Sequence, residues 1–475
     1  MRKKWTVFLA AGLAAVLFAG SSFAQSPEEK TTEDALEAET FAETLDAKAY
    51  VETLCAGDAE SLTEDYLYTE ELLDALNASG GLAGLQASLK SLGELQSAGE
   101  PIVSEIGGYI SYSVPCVFAL QKLNLVLNVD GEGKIAGIVT PAYEENTAAE
   151  SEEAGDAVER SEEIGEALPA GITEMEVSLP VDGQEGWELP GTLTLPEGDG
   201  PFPAVVLVHG SGPNDRDETI GYNKPFRDIA WGLAQKGIAV YRYDKRTLVY
   251  GQQLASDPDL TLEEETVLDA VKAVEILAGQ EKIDGSRIYM AGHSLGGQAL
   301  PRINEALAET EAAAGYIFLA APARKLPDIM KEQYDFLYSL TPELTEEQEQ
   351  QKEMIYAELA RLEDPDSLSE TDTVLGAYSA YWKDLDSYDQ VETAASIQQP
   401  CLVLQGEEDY QVTMEDFGLW KETYGEAPNW SFKTYPGLTH LFMPGEKANG
   451  PADYQSAQTV DEQVISDMAE FIKNN

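Results

Sequence analysis

Three short segments carry the side chains needed to cleave an acyl bond. The first, Gly292-His293-Ser294-Leu295-Gly296-Gly297, follows strand-like residues 287–291 and precedes a helical segment at 298–307. In that context G-x-S-x-G sets a serine hydroxyl on a strand-to-helix turn so tight that only small flanking residues let the two backbones approach. The hydroxyl of Ser294 is then left exposed at the sheet edge. The chain has only three histidines, and His209 and His293 belong to turn motifs. His440, in Pro436-Gly437-Leu438-Thr439-His440 after strand-like residues 430–435, is left as the base. An acid must hold the imidazole in its working tautomer and stabilise its protonated form. The loop Gly406-Glu407-Glu408-Asp409-Tyr410-Gln411-Val412 offers Asp409 first, with Glu407 and Glu408 as alternatives.

The tetrahedral oxygen formed by attack on a carbonyl needs hydrogen-bond donors. The N–H of Leu295, at the start of the helix, is one candidate. Gly-rich chain at His209-Gly210-Ser211-Gly212-Pro213, ending the apolar run 204–208, makes the Ser211 N–H the other. A donor of this kind is worth roughly 3 kcal/mol of transition-state stabilisation. A plain turn carrying a structural His209 is the alternative. Such chemistry requires neither metal nor organic cofactor.

These loops need a framework that brings strand ends together. Apolar runs at 204–208, 238–243, 287–291, 316–320 and 401–405 alternate with helical stretches, the pattern of a parallel sheet covered on both faces. The fold class is therefore α/β, a doubly wound and mostly parallel sheet, opened by an antiparallel hairpin at 174–179 and 187–195. Residues 328–392 interrupt the alternation with a long helical stretch rich in Tyr, Leu and Glu, and read as a helical cap over the active face. Residues 36–145 form a separate small α+β domain: helical stretches at 41–54 and 69–92, then strands at 108–118, 123–129 and 134–139. Asn128, Asp130 and Glu132 read as turn chemistry rather than a calcium loop. Residues 146–171 are an acidic, self-repelling linker.

Residues 1–24 have the form of a secretory signal: Arg2, Lys3 and Lys4, an uncharged apolar stretch, then Ser22-Phe23-Ala24. Cleavage yields an extracytoplasmic protein with no stable membrane span; retention makes the same stretch an anchor. Against 30 Lys and Arg stand 86 Asp and Glu, a formal net charge of −56, which repels nucleic acid and anionic lipid. The three cysteines, Cys55, Cys116 and Cys401, match no zinc or redox spacing. Export permits a disulfide between Cys55 and Cys116, with buried free thiols as the alternative.

Residues 172–475 resemble the α/β-hydrolase superfamily, nearest its serine aminopeptidase and prolyl oligopeptidase-like esterase branch. Gly406 to Val412 resembles that family's acid loop with one extra residue between Gly and Asp, and His209-Gly210-Ser211-Gly212 resembles its oxyanion segment. Pro213-Asn214-Asp215-Arg216-Asp217 and Tyr243-Asp244-Lys245-Arg246-Thr247 resemble loops of exported bacterial members, with Thr247 where relatives often carry Gly; they read equally well as solvated loops with local salt bridges. The domain at 36–145 is similar, more weakly, to an uncharacterised module of nuclear-transport-factor-like shape. The resemblance implies a serine hydrolase acting through an acyl-enzyme on a small-molecule ester or a short peptide, and the Tyr- and Leu-bearing cap suggests a substrate of medium size and partly apolar character. Esterase and aminopeptidase differ in that a peptidase needs a pocket carboxylate for the substrate ammonium. A binding or sensor protein that kept the fold and lost turnover is the reading of another class.

Overall fold

The computed structural model describes residues 45–56, a broken series between 62 and 139, and 168–475 apart from 185, 308–312, 342–343 and 345. The expected signal at 1–24, most of the helix at 69–92 and residues 146–167 of the linker lie outside the described residues. The described chain forms two units, divided between Glu163 and Ile164. Among the described residues no helix is long and apolar enough to cross a membrane.

In the N-terminal unit helix α1 (Ala47–Ala56) precedes the antiparallel strands β1 (Leu95–Ala98), β2 (Ile102–Ile106), β3 (Tyr109–Phe118), β4 (Lys122–Val129) and β5 (Ile135–Val139). The period of two along β3 and β4 buries Tyr112, Val114 and Cys116 opposite Leu123, Leu125 and Leu127, and Tyr50, Val51 and Leu54 of α1 join that cluster. Strands β1 and β2, which both pair with β3, have no counterpart in the sequence reading. The stretch Leu-Gln-Ser-Ala of β1 has apolar residues only at its ends, too weak a pattern to register. Cys55 and Cys116 are free thiols here, as is Cys401.

The C-terminal unit opens with β6 (Ile172–Glu176), a two-residue hairpin of β7 (Leu179–Pro180) and β8 (Glu188–Leu189), and β9 (Gly191–Pro196). Then follow β10 (Phe202–Val208), α2 (Pro225–Gln235), β11 (Ala239–Tyr243), α3 (Leu268–Ala278), β12 (Ile283–His293), α4 (Leu295–Leu307) and β13 (Gly315–Leu319). Next come the cap elements α5 (Leu326–Ser339), α6 (Glu346–Arg361), β14 (Thr373–Val374), β15 (Ala377–Tyr378) and α7 (Ser379–Asp386). The chain ends with β16 (Cys401–Gly406), α8 (Met414–Tyr424), β17 (Trp430–Tyr435) and α9 (Glu462–Asn474). The eight-stranded sheet has the order β17-β16-β13-β12-β10-β11-β9-β6. It is parallel from β17 to β11, and the opening pair β9 and β6 is antiparallel.

Both faces of the sheet are covered, so its central strands have no polar side. Ala204, Val206 and Val208 of β10 pack with α3, α4 and α8; Val205 and Leu207 pack with α2 and α9. After β10 the chain goes to β11 on one side and then crosses to β12 on the other. The loops leaving β10 and β12 therefore part company at a switch point, where α/β sheets hold their ligands. The cap is helical except for β14 and β15, whose turn puts Leu375 (φ 47°) and Gly376 (φ 84°) both in the left-handed region, as a type I′ turn requires. Leucine at the first of these positions hides the turn from sequence inspection.

The local salt bridges expected of residues 213–217 and 243–247 are present, and the structure corrects only the solvation of the second segment, where Lys245 and Arg246 are buried. Arg216 forks onto Asp244, Nε to Oδ1 and Nη2 to Oδ2, both at 3.0 Å. Arg246 does the same to Asp269 at 2.8 and 2.7 Å, with both residues buried. Bidentate guanidinium–carboxylate geometry satisfies the charges that burial strips of water. Burial nonetheless raises the Asp269 carboxyl above its usual range, against the hydrogen bonds and charge of Arg246. Removing one partner of a buried pair leaves the other charge unpaired. Arg246→Met is therefore expected to destabilise the C-terminal unit by about 3–5 kcal/mol in urea unfolding, and Arg246→Met/Asp269→Leu to recover most of the loss. Equal losses in the single and double variants would show that the cost is packing rather than the stranded carboxylate.

Candidate active site

Ser294 sits between β12 and α4 with φ of 52°, a left-handed conformation that costs a non-glycine residue about 1–3 kcal/mol and persists only where packing enforces it. Its N–H donates to Leu319 O at 2.9 Å and its carbonyl accepts Gln298 N–H at 3.0 Å, so both sides of the corner are tied down. A Cβ at Gly296 would lie 2.3 Å from Val208 O and 2.6 Å from His209 O. Backbone contact of that kind brings α4 directly against the end of β10. Ser211 and Ser294 consequently line one cleft, together with His440. Among the described residues neither the Ser211 N–H nor the Leu295 N–H is taken by a protein acceptor. The neighbouring Gly210 N–H is taken, by Glu218 Oε1 at 2.7 Å.

His440 arrives from the far end of the chain. A Cβ at Gly406 would lie 2.4 Å from the carbonyl oxygens of both Leu438 and Thr439, so the loop after β16 and the loop after β17 touch backbone to backbone. That contact sets His440 Nδ1 2.7 Å from Asp409 Oδ2, with Asp409 fully shielded from solvent. Gln405 Nε2 also donates to Oδ2, at 2.9 Å, and the N–H groups of Gln411 and Val412 donate to Oδ1 at 2.7 and 3.0 Å. Four donors on one carboxylate fix its plane and hold it as an acceptor. The other two acids of the loop point elsewhere: Glu407 takes the Thr434 hydroxyl and Glu408 the Lys447 N–H.

Two charged neighbours escaped the sequence reading. Glu218, at φ 51° and buried, reaches His293 Nδ1 at 2.8 Å, while His293 Nε2 donates to His440 O at 3.0 Å. An acceptor oxygen thus lies beside each ring nitrogen of His293, an environment that favours the imidazolium. Burial alone would lower its pKa, but the charge and hydrogen bond of Glu218 outweigh burial and the shift is upward. The second neighbour is Lys245, whose ammonium meets Gly210 O at 2.8 Å and Glu265 Oε1 at 2.5 Å. Nothing in a chain with 86 acidic residues marks Glu218 or Glu265 as special. Among the described residues no group of three or more His, Cys, Asp or Glu is placed to hold a metal ion.

The cap closes the cleft from above with Leu326, Ile329, Met330 and Gln333 of α5 and Trp382 of α7. The Trp382 indole N–H is anchored on Val374 O at 2.9 Å, which ties the cap's hairpin to its pocket-facing helix. The space beneath the cap is a partly open cleft of about 80 Å³. That is well below the roughly 300–1,000 Å³ of pockets that swallow drug-sized ligands, so the expectation of a medium-sized substrate narrows to a small group inside the cap.

His209 lies under the cleft with 1% of its surface exposed, against the rings of Phe226 and Tyr243. Burial lowers its pKa to about 4. A depressed base stays neutral in the fold while the unfolded chain takes up a proton below its ordinary value of about 6.5, so stability is full above that pH and falls toward pH 4. The loss amounts to about 3 kcal/mol. His209→Gln is expected to flatten the fall in urea-unfolding free energy between pH 7 and pH 4 by about this much; an unchanged slope would mean His209 is not held neutral.

Residues 200–448 match the family described as Serine aminopeptidase, S33. Over 418 residues the chain is 36% identical to Esterase EstD of Thermotoga maritima, a match spanning 86% of this chain and 93% of that protein. That span exceeds residues 172–475 and so reaches into the N-terminal unit. Esterase FrsA of Escherichia coli is 27% identical over 142 residues, 30% of either chain. Among solved structures, Est1E from Butyrivibrio proteoclasticus aligns with a TM-score of 0.41 at 18% identity, covering 63% of this chain and 99% of that one.

Proposed function

The chain belongs to the serine aminopeptidase S33 family within the α/β-hydrolases, and from that premise we propose that it is an exported serine esterase that cleaves esters with small acyl groups. The observation that carries the proposal is the buried contact of His440 Nδ1 with Asp409 Oδ2 at 2.7 Å, in the same cleft as a serine held at φ 52°. In this reading His440 takes the proton of Ser294 Oγ as the oxygen attacks the carbonyl carbon. The oxyanion rests between the Ser211 and Leu295 N–H groups, and collapse expels the alcohol, which takes its proton from His440. Water, deprotonated by the same imidazole, then attacks the acyl-enzyme and frees the acid and Ser294. The steps use the chain's own side chains, two of its backbone N–H groups and water.

The cleft favours esters over aminoacyl amides. An aminopeptidase needs a carboxylate free to meet the substrate's ammonium. Glu218 is the one acidic residue among those lining the cleft, and it is already committed to His293 and the Gly210 N–H. Export rests on the form of residues 1–24 and is tested by whether the mature protein begins near Gln25.

On p-nitrophenyl butyrate, Ser294→Ala is expected to abolish turnover and fluorophosphonate labelling, and Asp409→Asn to lower kcat about 10⁴-fold. Glu407→Gln and Glu408→Gln are expected to remain within about threefold of wild type. Wild-type turnover in Ser294→Ala would end the proposal, and a Glu408→Gln loss matching that of Asp409→Asn would move the acid.

The cavity sets acyl preference. Acetyl and butyryl esters are expected to exceed dodecanoyl esters at least about tenfold in kcat/KM, and Met330→Ala, by enlarging the floor of the cap, to shift the optimum to longer chains. A flat chain-length profile in wild type would show that the cap opens too freely to select.

A further inference from the structure

The peptide group joining Gly210 to Ser211 is fixed by partners that a simple turn does not need. Its carbonyl oxygen accepts Asn214 Nδ2 at 3.1 Å and, on its second lone pair, Lys245 Nζ at 2.8 Å. Lys245 is 2% exposed, and its charge is matched by Glu265, itself buried and presented by a π-helical turn at Glu263–Val267 leading into α3. The hydroxyl of Tyr381, from the cap, hydrogen-bonds the same carboxylate. Burying an ion pair is costly, and apolar residues of similar volume often serve the fold as well or better. Here a buried charge, rather than a neutral donor, is set on the carbonyl of the peptide that carries the Ser211 N–H.

The Gly210 carbonyl and the Ser211 N–H belong to one planar trans amide, so they point in opposite directions. An ammonium on the oxygen fixes the orientation of the N–H, which belongs to a residue lining the cleft and is taken by no protein acceptor. The same ammonium draws electron density toward the oxygen and leaves the N–H a stronger donor, the cooperative polarisation that a dry environment strengthens. We propose that Lys245 is a positioning residue for the oxyanion site: its charge, held by Glu265, orients and polarises the Gly210–Ser211 amide toward the tetrahedral oxygen of the ester. This inference rests on the reading of Ser294 as nucleophile and of the Ser211 N–H as an oxyanion donor.

Because polarisation acts on charge that develops only in the transition state, its loss falls on kcat and leaves KM alone. Removing a whole oxyanion donor costs about 10²–10³ in kcat, so losing its polarisation is expected to cost about tenfold or more. Lys245→Gln/Glu265→Gln keeps a polar amide at both positions while removing both charges. Lys245→Met/Glu265→Leu removes the hydrogen bond as well and fills the space with apolar groups. Both are expected to lower kcat on p-nitrophenyl butyrate at unchanged KM, the second more deeply. Affinity for a trifluoromethyl ketone, whose hemiketal oxygen occupies the same site, should fall in parallel with kcat. A folded double variant with wild-type kcat, or one whose loss appears in KM without loss of hemiketal affinity, overturns the role of Lys245. Ser294→Ala run alongside separates the two levels: if it is inactive while a double variant is not, the inference alone fails, and if it turns over normally the nucleophile reading beneath it fails.

Discussion

Where β10 and β12 run side by side, the backbone entering α4 presses against the carbonyls of Val208 and His209, leaving no room for a side chain at Gly296. Much of the cleft is arranged around that contact. It forces the corner at Ser294, and it sets the loop after β10 beside the loop after β12 at the point where strand order reverses. A second contact of the same kind, between Gly406 and the loop at 438–439, brings His440 to Asp409. Two places where backbones approach without side chains between them thus gather residues separated by more than two hundred positions.

The cations packed near the cleft are neutralised locally rather than left to oppose the acidic surface. A chain with a formal charge of −56 holds several of its few cations, Arg216, Arg242, Lys245 and Arg246, in one region beneath and beside the switch point, each on a carboxylate. The three histidines show how far surroundings govern a single side-chain type. His209, walled in by aromatic rings, is pushed toward neutrality, while His293, between a carboxylate and a carbonyl, is pushed toward the cation. His440, with one nitrogen on Asp409, faces the cleft with the other edge of its ring. Low dielectric makes each of these environments decisive, since an unpaired charge there costs far more than in water.

The cap gives the cleft its size. Its helices pack their apolar faces into the same hydrophobic cluster as α3, α4 and α8, so it is continuous with the body of the unit rather than a detached flap. Met330 and Trp382 belong at once to that cluster and to the wall of the cleft, so core packing and cleft size are linked there.

The sequence by itself determined the framework and the chemical types. Apolar runs with helical stretches between them specify a covered parallel sheet, because burial on two faces leaves no polar positions in a strand; G-x-S-x-G marks a corner because only glycine tolerates the contact; and scarcity of histidine singles out His440. Those signals are local, set by sterics and burial over a few residues. Tertiary structure decided what depends on which loops meet. It set Asp409 rather than Glu407 or Glu408 against His440, and it buried the ion pairs of Lys245 and Arg246 within a segment that reads as a loop with local salt bridges. It also placed Glu218 on His293 and Lys245 on the Gly210 carbonyl, 35 positions away. Short-range pattern tells which residues leave water, but the partner of a buried charge is chosen by packing across the sheet, and in a chain crowded with carboxylates no spacing rule distinguishes the one that will be near.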